Sequence, residues 1–531
     1  MRNRHSEIQR NENLWELLRA IVFSNLNCKL LKCCTMACGI ALLVFAWEVF
    51  LVAGSSVGKS LTELVSVQSS LQSLPTRTQT PDSSAHSQYL SEIAEKYRQP
   101  RVNCSAIFAG DEKETKRAVT IASLLAADEK PTKYNLKTLR SLTLKDKSYV
   151  DAVHTEVKKW SSEFKDLTNE WYINATKDCE QFRQTRGYIM SELTQEEAEF
   201  PIAFSLMVYK NMEMVERLLR SVYRPQNFYC IHVDAKSDPK FYEALQAVSS
   251  CLPDNVRVAS RRVKVYWGQF SVLEPELVCM EDLINMDNGN TAAGYGNLTG
   301  KKQKFRGKKW KYFINLTGQE FPLKTNYELV KILKAFKGAN NQEGTIKRIK
   351  QKRWTTSPPH EIIPVKGAVH TVINRATVDF ILHDSKAKDF MKWLKTTIIP
   401  DETLFASINY NPRLNIPGTY NGSNLEEVEP LARYKIWKEE KRPCASGQIL
   451  RQICVLSTGD LERMWSSPYL IANKFALQQD RVAIGCLEER LFNATRDEGM
   501  GWKSFNTSRY ENLDFVLNQV PPPAERHHLS S

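Results

Sequence analysis

Residues 200–238 read FPIAFSLMVYKNMEMVERLLRSVYRPQNFYCIHVDAKSD, and the fold turns on this stretch. Ile202 to Val208 is a short, largely apolar run of the kind that forms a strand buried on both faces. Asn211 can cap the segment that follows, in which Val215, Leu218, Leu219 and Val222 take helical i, i+3, i+4, i+7 spacing. Arg224 and Pro225 stop that helix, and Phe228 to Val233 makes a second buried strand. The unit is βαβ, with Asp234 at the carboxyl edge of its second strand, where open α/β sheets bind nucleotides. Neither the Gly-rich dinucleotide fingerprint nor a P-loop is present, so a nucleotide would be held in another way. Pattern alone fits any βαβ protein with a solvated aspartate equally well.

Outward from that unit, 531 residues with 42% hydrophobic side chains can bury one large domain or two ordinary ones. The net charge of +13 is spread along the chain without a helix-turn-helix, zinc-finger or RNA-binding signature. No nucleic-acid partner is expected, only a weak attraction for anionic substrates or membrane surfaces. Residues 34–54 contain CTMACGIALLVFAWEVFLVA, about twenty residues with the single charge of Glu48 near one end, long enough to cross a bilayer. Arg2, Arg4, Arg10, Arg19, Lys29 and Lys32 precede it and only Lys59 follows closely. The positive-inside rule therefore puts residues 1–33 in the cytosol and the bulk of the chain in the lumen. Of 12 cysteines, Cys28, Cys33, Cys34 and Cys38 lie at or before this span. The even number beyond it fits disulfides in an oxidising compartment, and no paired CxxC suggests zinc. N-glycosylation sequons at Asn103, Asn174, Asn297, Asn421, Asn493 and Asn506 point to the same compartment. Asn315 also fits the pattern but sits in the apolar run YFINLTG, where a glycan would disrupt packing.

Residues 55–101, rich in Ser, Thr and Gln, read as a stem unable to bury a core. Residues 102–199 look helical and charged, with Trp160, Phe164, Leu167 and Trp171 on one helical face. The α/β domain spans 200–514. Further strands are expected at Val256–Ala259, Tyr312–Leu316 and Ala368–Ile373, and helices at Asn326–Phe336 and Ala376–His383. Residues 287–311, Gly/Asn-rich and then basic, read as an exposed insertion, and 515–531 as a flexible tail with nothing to pack.

A luminal enzyme with a nucleotide fold suggests a sugar-nucleotide glycosyltransferase. Many of these hold the diphosphate through a metal on Asp-x-Asp, yet this chain has no such motif, and Asp234 is followed by Lys236 rather than a second acid. Either the enzyme reading fails or cationic side chains neutralise the diphosphate. Glu402 opens an apolar helical segment, TLFASI, where an acid either complements the helix dipole or, if partly buried, has its pKa raised.

FPIAFSLMVYKN, PQNFYCIHVDAKS, NLTGQEFPLKTN, IPDETLFASI, RQICVLSTGDL and IANKF closely resemble the core 2/I-branching β-1,6-N-acetylglucosaminyltransferase family, in order, from about Tyr188 to Leu491. The resemblance implies a Rossmann-like α/β domain of the GT-A type, in a Golgi type II membrane protein with a luminal catalytic domain. It implies inverting transfer of N-acetylglucosamine from UDP-GlcNAc to the 6-hydroxyl of a core 1 O-glycan on glycoproteins, with no cofactor and no divalent metal. It makes Glu402 the general base and Arg451 and Lys474 the diphosphate cations. Met207, Asp234 and Tyr266 fall on the uridine positions; Glu343, Lys350, Arg353 and Trp437 fall on the acceptor positions. Spacing one residue shorter than the family's leaves Lys352 as an alternative to Lys350. Glu439 stands where the family pattern has Tyr, which leaves room for another acceptor or a donor such as UDP-glucose. A silent Golgi lectin or scaffold is the reading from another class, and a homodimer is left open. The resemblance pairs Cys104 with Cys486, Cys179 with Cys251, Cys230 with Cys279 and Cys444 with Cys454. Thr317 stands where some members carry a free cysteine.

Overall fold

The computed structural model describes residues 83–129, 132–288, 309–347 and 353–522. The span at 34–54, the cytoplasmic tail, most of the stem, Asn297, Lys350, Lys352 and nearly all of the basic insertion lie outside the described residues. No helix among the described residues is long and apolar enough to cross a membrane.

Among the described residues there are eleven strands: β1 (Ile202–Val208), β2 (Phe228–Val233), β3 (Val256–Val258), β4 (Tyr312–Thr317), β5 (Glu320–Pro322), β6 (Asn341–Thr345), β7 (Lys366–Asn374), β8 (Arg433–Tyr434), β9 (Ile449–Leu450), β10 (Ile453–Cys454) and β11 (Ile471–Asn473). Six form the central sheet in the order β3-β2-β1-β4-β7-β6. The first four are parallel, and β7 and β6 close the sheet antiparallel. This is a mixed α/β fold with a largely parallel sheet, consistent with the GT-A-type domain that the resemblance implies.

The strand period of two sorts β1 between two cores. Phe204, Leu206 and Val208 join the core under the helices Met212–Val222, Pro239–Ser250 and Asn326–Ala335. Ala203 faces the opposite core with Leu283 of Glu274–Asp287 and Phe405 of Leu404–Asn409. Burial on both faces explains why β1 and β2 are near-continuous apolar runs. Asn211 caps Met212–Val222 by accepting from Met214 N, as its position predicts.

A third core joins the helices of 102–160 to the small sheet β5-β11-β8 and to the helix Arg481–Gly499, through Ile107, Ile121, Phe321, Tyr434, Ala472 and Leu487. Four disulfides join Cys104 to Cys486, Cys179 to Cys251, Cys230 to Cys279 and Cys444 to Cys454, the pairing that the resemblance implies. Buried ion pairs reinforce the junction. Glu216 takes Arg186 and Arg220, Glu488 takes Arg220 and Arg217, Glu213 takes Arg217 and Arg481, and Arg481 also reaches Asp166.

Three sequence expectations are corrected. The 160–171 stretch is not one helix: Lys147–Lys158 ends, a tight turn covers Ser161–Phe164, and Thr168 caps a new helix, Asn169–Ala175. Trp160 and Phe164 still meet edge to face at 5.3 Å, but the side-chain cap at Thr168 breaks what periodicity alone would continue. The C-terminal part of the expected stem packs. In Ser83–Lys96, Leu90, Ile93 and Ala94 are buried with the following Tyr97, whose ring stacks on Phe492 at 3.7 Å. The tail also packs beyond 514: Phe515 and Val516 are buried, Phe515 meets Phe336 edge to face, and Val520 N donates to Thr419 O.

Among the sequons, Asn103, Asn174, Asn421 and Asn506 are exposed, and Asn493 is half-buried on Arg481–Gly499. Asn315 is buried, its amide nitrogen donating to Val369 O at 2.7 Å, which agrees with excluding it.

Candidate active site

The carboxyl edge of the parallel strands carries the first part of the site. Met207 and His232 are register partners on β1 and β2, so Asp234 emerges just beyond them. The segment 262–268 folds back along this edge. Ala235 N donates to Val263 O, Arg262 Nη2 donates to Asp234 O at 2.9 Å, and Val263 N donates to His232 Nε2 at 2.9 Å. Burial lowers the His232 pKa to about 4, so the ring stays a neutral acceptor for that bond. Asp234 Oδ1 accepts from Lys236 N at 2.9 Å. Tyr266 is 49% exposed with the Lys236 ammonium 4.6 Å from its ring centroid, and the adjacent Trp267 is 71% exposed. Met207 keeps a half-buried side chain while its carbonyl accepts from Gly318 N. The structure therefore brings Met207, Asp234 and Tyr266 to one edge, beside an aromatic, Trp267, that the sequence reading passed over.

The same segment reaches the proposed base. Ile399 N donates to Gly268 O at 2.9 Å, anchoring the turn Pro400–Glu402. Arg353 grips that turn from the other side. Its Nη1 reaches Ile399 O, its own carbonyl accepts from Ile398 N, and Nη2 donates to Glu402 Oε2 at 2.9 Å. The Arg353 side chain is only 8% exposed, whereas that of Glu402 is 34% exposed. A buried guanidinium thus orients a carboxylate that still opens to solvent. Behind it, Asp401 is buried with Oδ1 lacking a hydrogen-bond partner among the described residues. Burial, and next the charge of Glu402, push the Asp401 carboxyl up to about 6.

Arg451 and Lys474 come from two other elements. Arg451 and Gln452, with φ of 51° and 67°, form the two-residue turn between β9 and β10, and Arg451 is exposed at its tip. Positive φ at both positions matches the twist of a tight hairpin. Lys474 follows β11, half-buried, with its carbonyl accepting from Leu456 N. Burial, and next the charge of Arg451, lower the Lys474 pKa, so the two cations are close enough to feel each other. Among the described residues neither has a carboxylate within ion-pair distance.

Two of the acceptor candidates, Glu343 and Trp437, line a cavity of about 160 Å³ with His370, Arg433, Lys435 and Arg442. Lys435, absent from the sequence reading, lies 3.3 Å from Glu343 Oε2 and 5.2 Å from the Trp437 ring centroid. Trp437 is 40% exposed and forms an isolated antiparallel bridge with Ile453, so it adjoins the hairpin that carries Arg451. Glu343 and Trp437 share this cavity; Arg353 instead pairs with Glu402, and Glu439 is exposed beside Trp437. Beneath the cavity lies Glu320, fully buried, a residue of the NLTGQEFPLKTN stretch that no spacing marked.

A family model for the Core-2/I-Branching enzyme matches residues 202–293 and 304–465. A β-1,3-galactosyl-O-glycosyl-glycoprotein β-1,6-N-acetylglucosaminyltransferase of Bos taurus is 34% identical over 428 residues, 75% of this chain and 87% of its own length. The Homo sapiens protein of that name is 36% identical over 353 residues, covering 61% of this chain and 77% of its own. The Ovis aries protein named as number 3 of this activity is 36% identical over 363 residues, 63% of this chain and 77% of its own.

Proposed function

The chain belongs to the core-2/I-branching enzyme family and is a glycosyltransferase; from that premise we propose that it adds N-acetylglucosamine in β-1,6 linkage to core 1 O-glycans, drawing on UDP-GlcNAc. The observation that carries the reading is the pair Arg451 and Lys474, adjacent, without carboxylate partners among the described residues, beside a cavity that holds Trp437. Such a pair has the charge to stabilise the diphosphate oxygens as UDP leaves, the work that a divalent metal does elsewhere. The uracil end belongs at Asp234 and Tyr266, and the acceptor sugar against Trp437 and Glu343.

Glu402 takes the proton of the acceptor 6-hydroxyl as that oxygen attacks the anomeric carbon. Attack from the face opposite the leaving diphosphate inverts the configuration. Arg353 holds Glu402 in place, and the strap from Gly268 to Ile399 ties the base to the donor edge. A luminal location, with residues 34–54 as a type II Golgi anchor, is supported by the four disulfides and by the exposed Asn103, Asn174, Asn421 and Asn506 as glycan sites.

The test incubates the secreted luminal region with a core 1 disaccharide and separate UDP-sugars in EDTA. GlcNAc transfer to the 6-hydroxyl is expected. Transfer of glucose alone overturns the donor assignment, dependence on added manganese overturns the role of the two cations, and glycan binding without transfer overturns the enzyme mechanism.

A further inference from the structure

We propose that Glu320 is a positioning residue that ties the donor and acceptor subsites together, its buried carboxylate holding both the strand that ends at Lys474 and the strand that leads to Trp437. The proposal rests on the reading above of Lys474 and Trp437. The first support is topology. In the small sheet, β11 lies between β5 and β8, with Asn473 the register partner of Glu320 and Ala472 that of Tyr434. Lys474 follows β11 by one residue, and Lys435 and Trp437 follow β8.

The second support is the convergence of donors on one fully buried side chain. Oε1 accepts from Asn473 Nδ2 at 2.8 Å and lies 3.0 Å from His370 Nε2. Arg433 Nε is 3.1 Å from the same oxygen, an ion pair outside hydrogen-bond geometry. Oε2 accepts from Thr317 N at 3.0 Å. Arg433 also donates through Nη2 to Asn315 O and through Nη1 to Ala432 O. His370 and Arg433 line the acceptor cavity, and Asn473 adjoins the donor cation.

A glutamate meets these demands because both oxygens accept. A glutamine in the same place turns one acceptor into a donor, set against either Thr317 N or the Asn473–His370 pair. It also leaves Arg433 without its counter-charge in a dry site, which costs more than the pair contributes. Burial outweighs the pull of Glu320 and lowers the His370 pKa to about 4, so the ring is neutral and donates from Nε2. The carboxylate thus fixes the His370 tautomer, the orientation of Arg433 and the end of β11 at once.

The full-length chain is titrated with UDP by calorimetry, and the acceptor KM is measured with a core 1 disaccharide. Asn473→Ala is expected to weaken UDP about 10-fold with the acceptor KM unchanged, the loss of a hydrogen bond to a charged group. His370→Ala is expected to raise the acceptor KM by about the same factor with UDP affinity unchanged. Glu320→Gln is expected to impair both, and Glu320→Asp to restore part of each. A folded Glu320→Gln with both quantities at wild-type values overturns the proposal. So does an Asn473→Ala that raises the acceptor KM as much as His370→Ala does. If Glu320→Gln fails to fold, the two flanking variants decide alone. Lys474→Ala separates the premises: if it leaves UDP affinity intact, the donor reading falls. If it weakens UDP while Asn473→Ala and Glu320→Gln do not, that reading stands and the role of Glu320 falls.

Discussion

Along the helix Met212–Val222, every arginine meets a carboxylate: Arg217 and Arg220 share Glu488, Arg220 also pairs with Glu216, and Arg481 from the neighbouring helix takes Glu213. At the end of β11 the pattern is reversed. Burial, and next the charge of Arg451, lower the Lys474 pKa, and neither cation has a carboxylate in ion-pair reach among the described residues. The difference separates charge that builds the molecule from charge that the proposed function assigns to a ligand. A buried cation that only holds helices together must be neutralised within the fold, because leaving it unpaired costs several kcal/mol. Two cations kept together without an ion-pair partner among the described residues gain when an anion arrives, which is why the proposed function puts the diphosphate there.

The comparison breaks most sharply at a third component, Glu402, the carboxylate proposed as the base. Glu402→Gln keeps the shape and the Arg353 contact but cannot take a proton, so turnover should fall about 100-fold or more while calorimetric UDP affinity stays at the wild-type value. Wild-type-like turnover would remove Glu402 from its role. Next comes the paired region. Glu216→Gln strands Arg186 and leaves Arg220 with Glu488 alone, so the unfolding free energy should drop by roughly 3–5 kcal/mol in denaturant titration, with UDP affinity of the folded protein unchanged. A comparable loss of UDP affinity would mean that the two regions are not separable.

Arg451→Ala and Lys474→Ala should behave in the opposite sense. Each should weaken UDP about 10- to 100-fold, and neither should lower the melting temperature, because each removes a repulsion. A melting temperature that falls as far as in Glu216→Gln would show these cations to be structural.

The smallest effect is one of pH. Glu276, buried against Ser205 and Asn315, has its carboxyl pushed up to about 7 by burial. Between about 4.5 and 7 the unfolded chain binds fewer protons at this group than the folded one, so this contribution to stability declines as pH rises through that window and is flat above it. Burial alone would raise Glu216 and Glu488, but Arg186, Arg217 and Arg220 more than offset it and both are held low. Their contribution is therefore present above the usual carboxylate range and is lost only as pH falls below it. Stability should peak between the two windows, and Glu276→Gln should flatten the alkaline side in melting curves taken from pH 5 to 8. An unchanged slope in that variant would exclude Glu276 as the source.

Much of the donor edge was legible in the chain. The apolar runs of β1 and β2, the cap at Asn211 and the position of Asp234 rest on local periods and on residues a few places apart. Where local rules compete, the reading slipped: the hydroxyl of Thr168 starts a new helix inside an apparently continuous face. Polar composition hid the Leu90, Ile93, Ala94 and Tyr97 stripe, whose partner Phe492 lies some four hundred residues away in sequence. Phe515 was passed over for the same reason, because its partner Phe336 belongs to another element. The turn at Glu402 stood out as an acid before an apolar run, but nothing near it in sequence announced Arg353 or Gly268 as its anchors.

The amino-acid sequence by itself determined which segments become strands and helices, where the acidic edge falls, and that no Asp-x-Asp motif is present. Those properties follow from the backbone period and from side-chain chemistry within a few residues. Tertiary structure alone decided which charges are paired and which are left open. It set Glu320 between Asn473, His370 and Arg433, and it left Arg451 and Lys474 with no acid in ion-pair reach among the described residues. An ion pair or a buried hydrogen bond is decided by distances of a few ångströms in space, and separation along the chain carries no record of those distances.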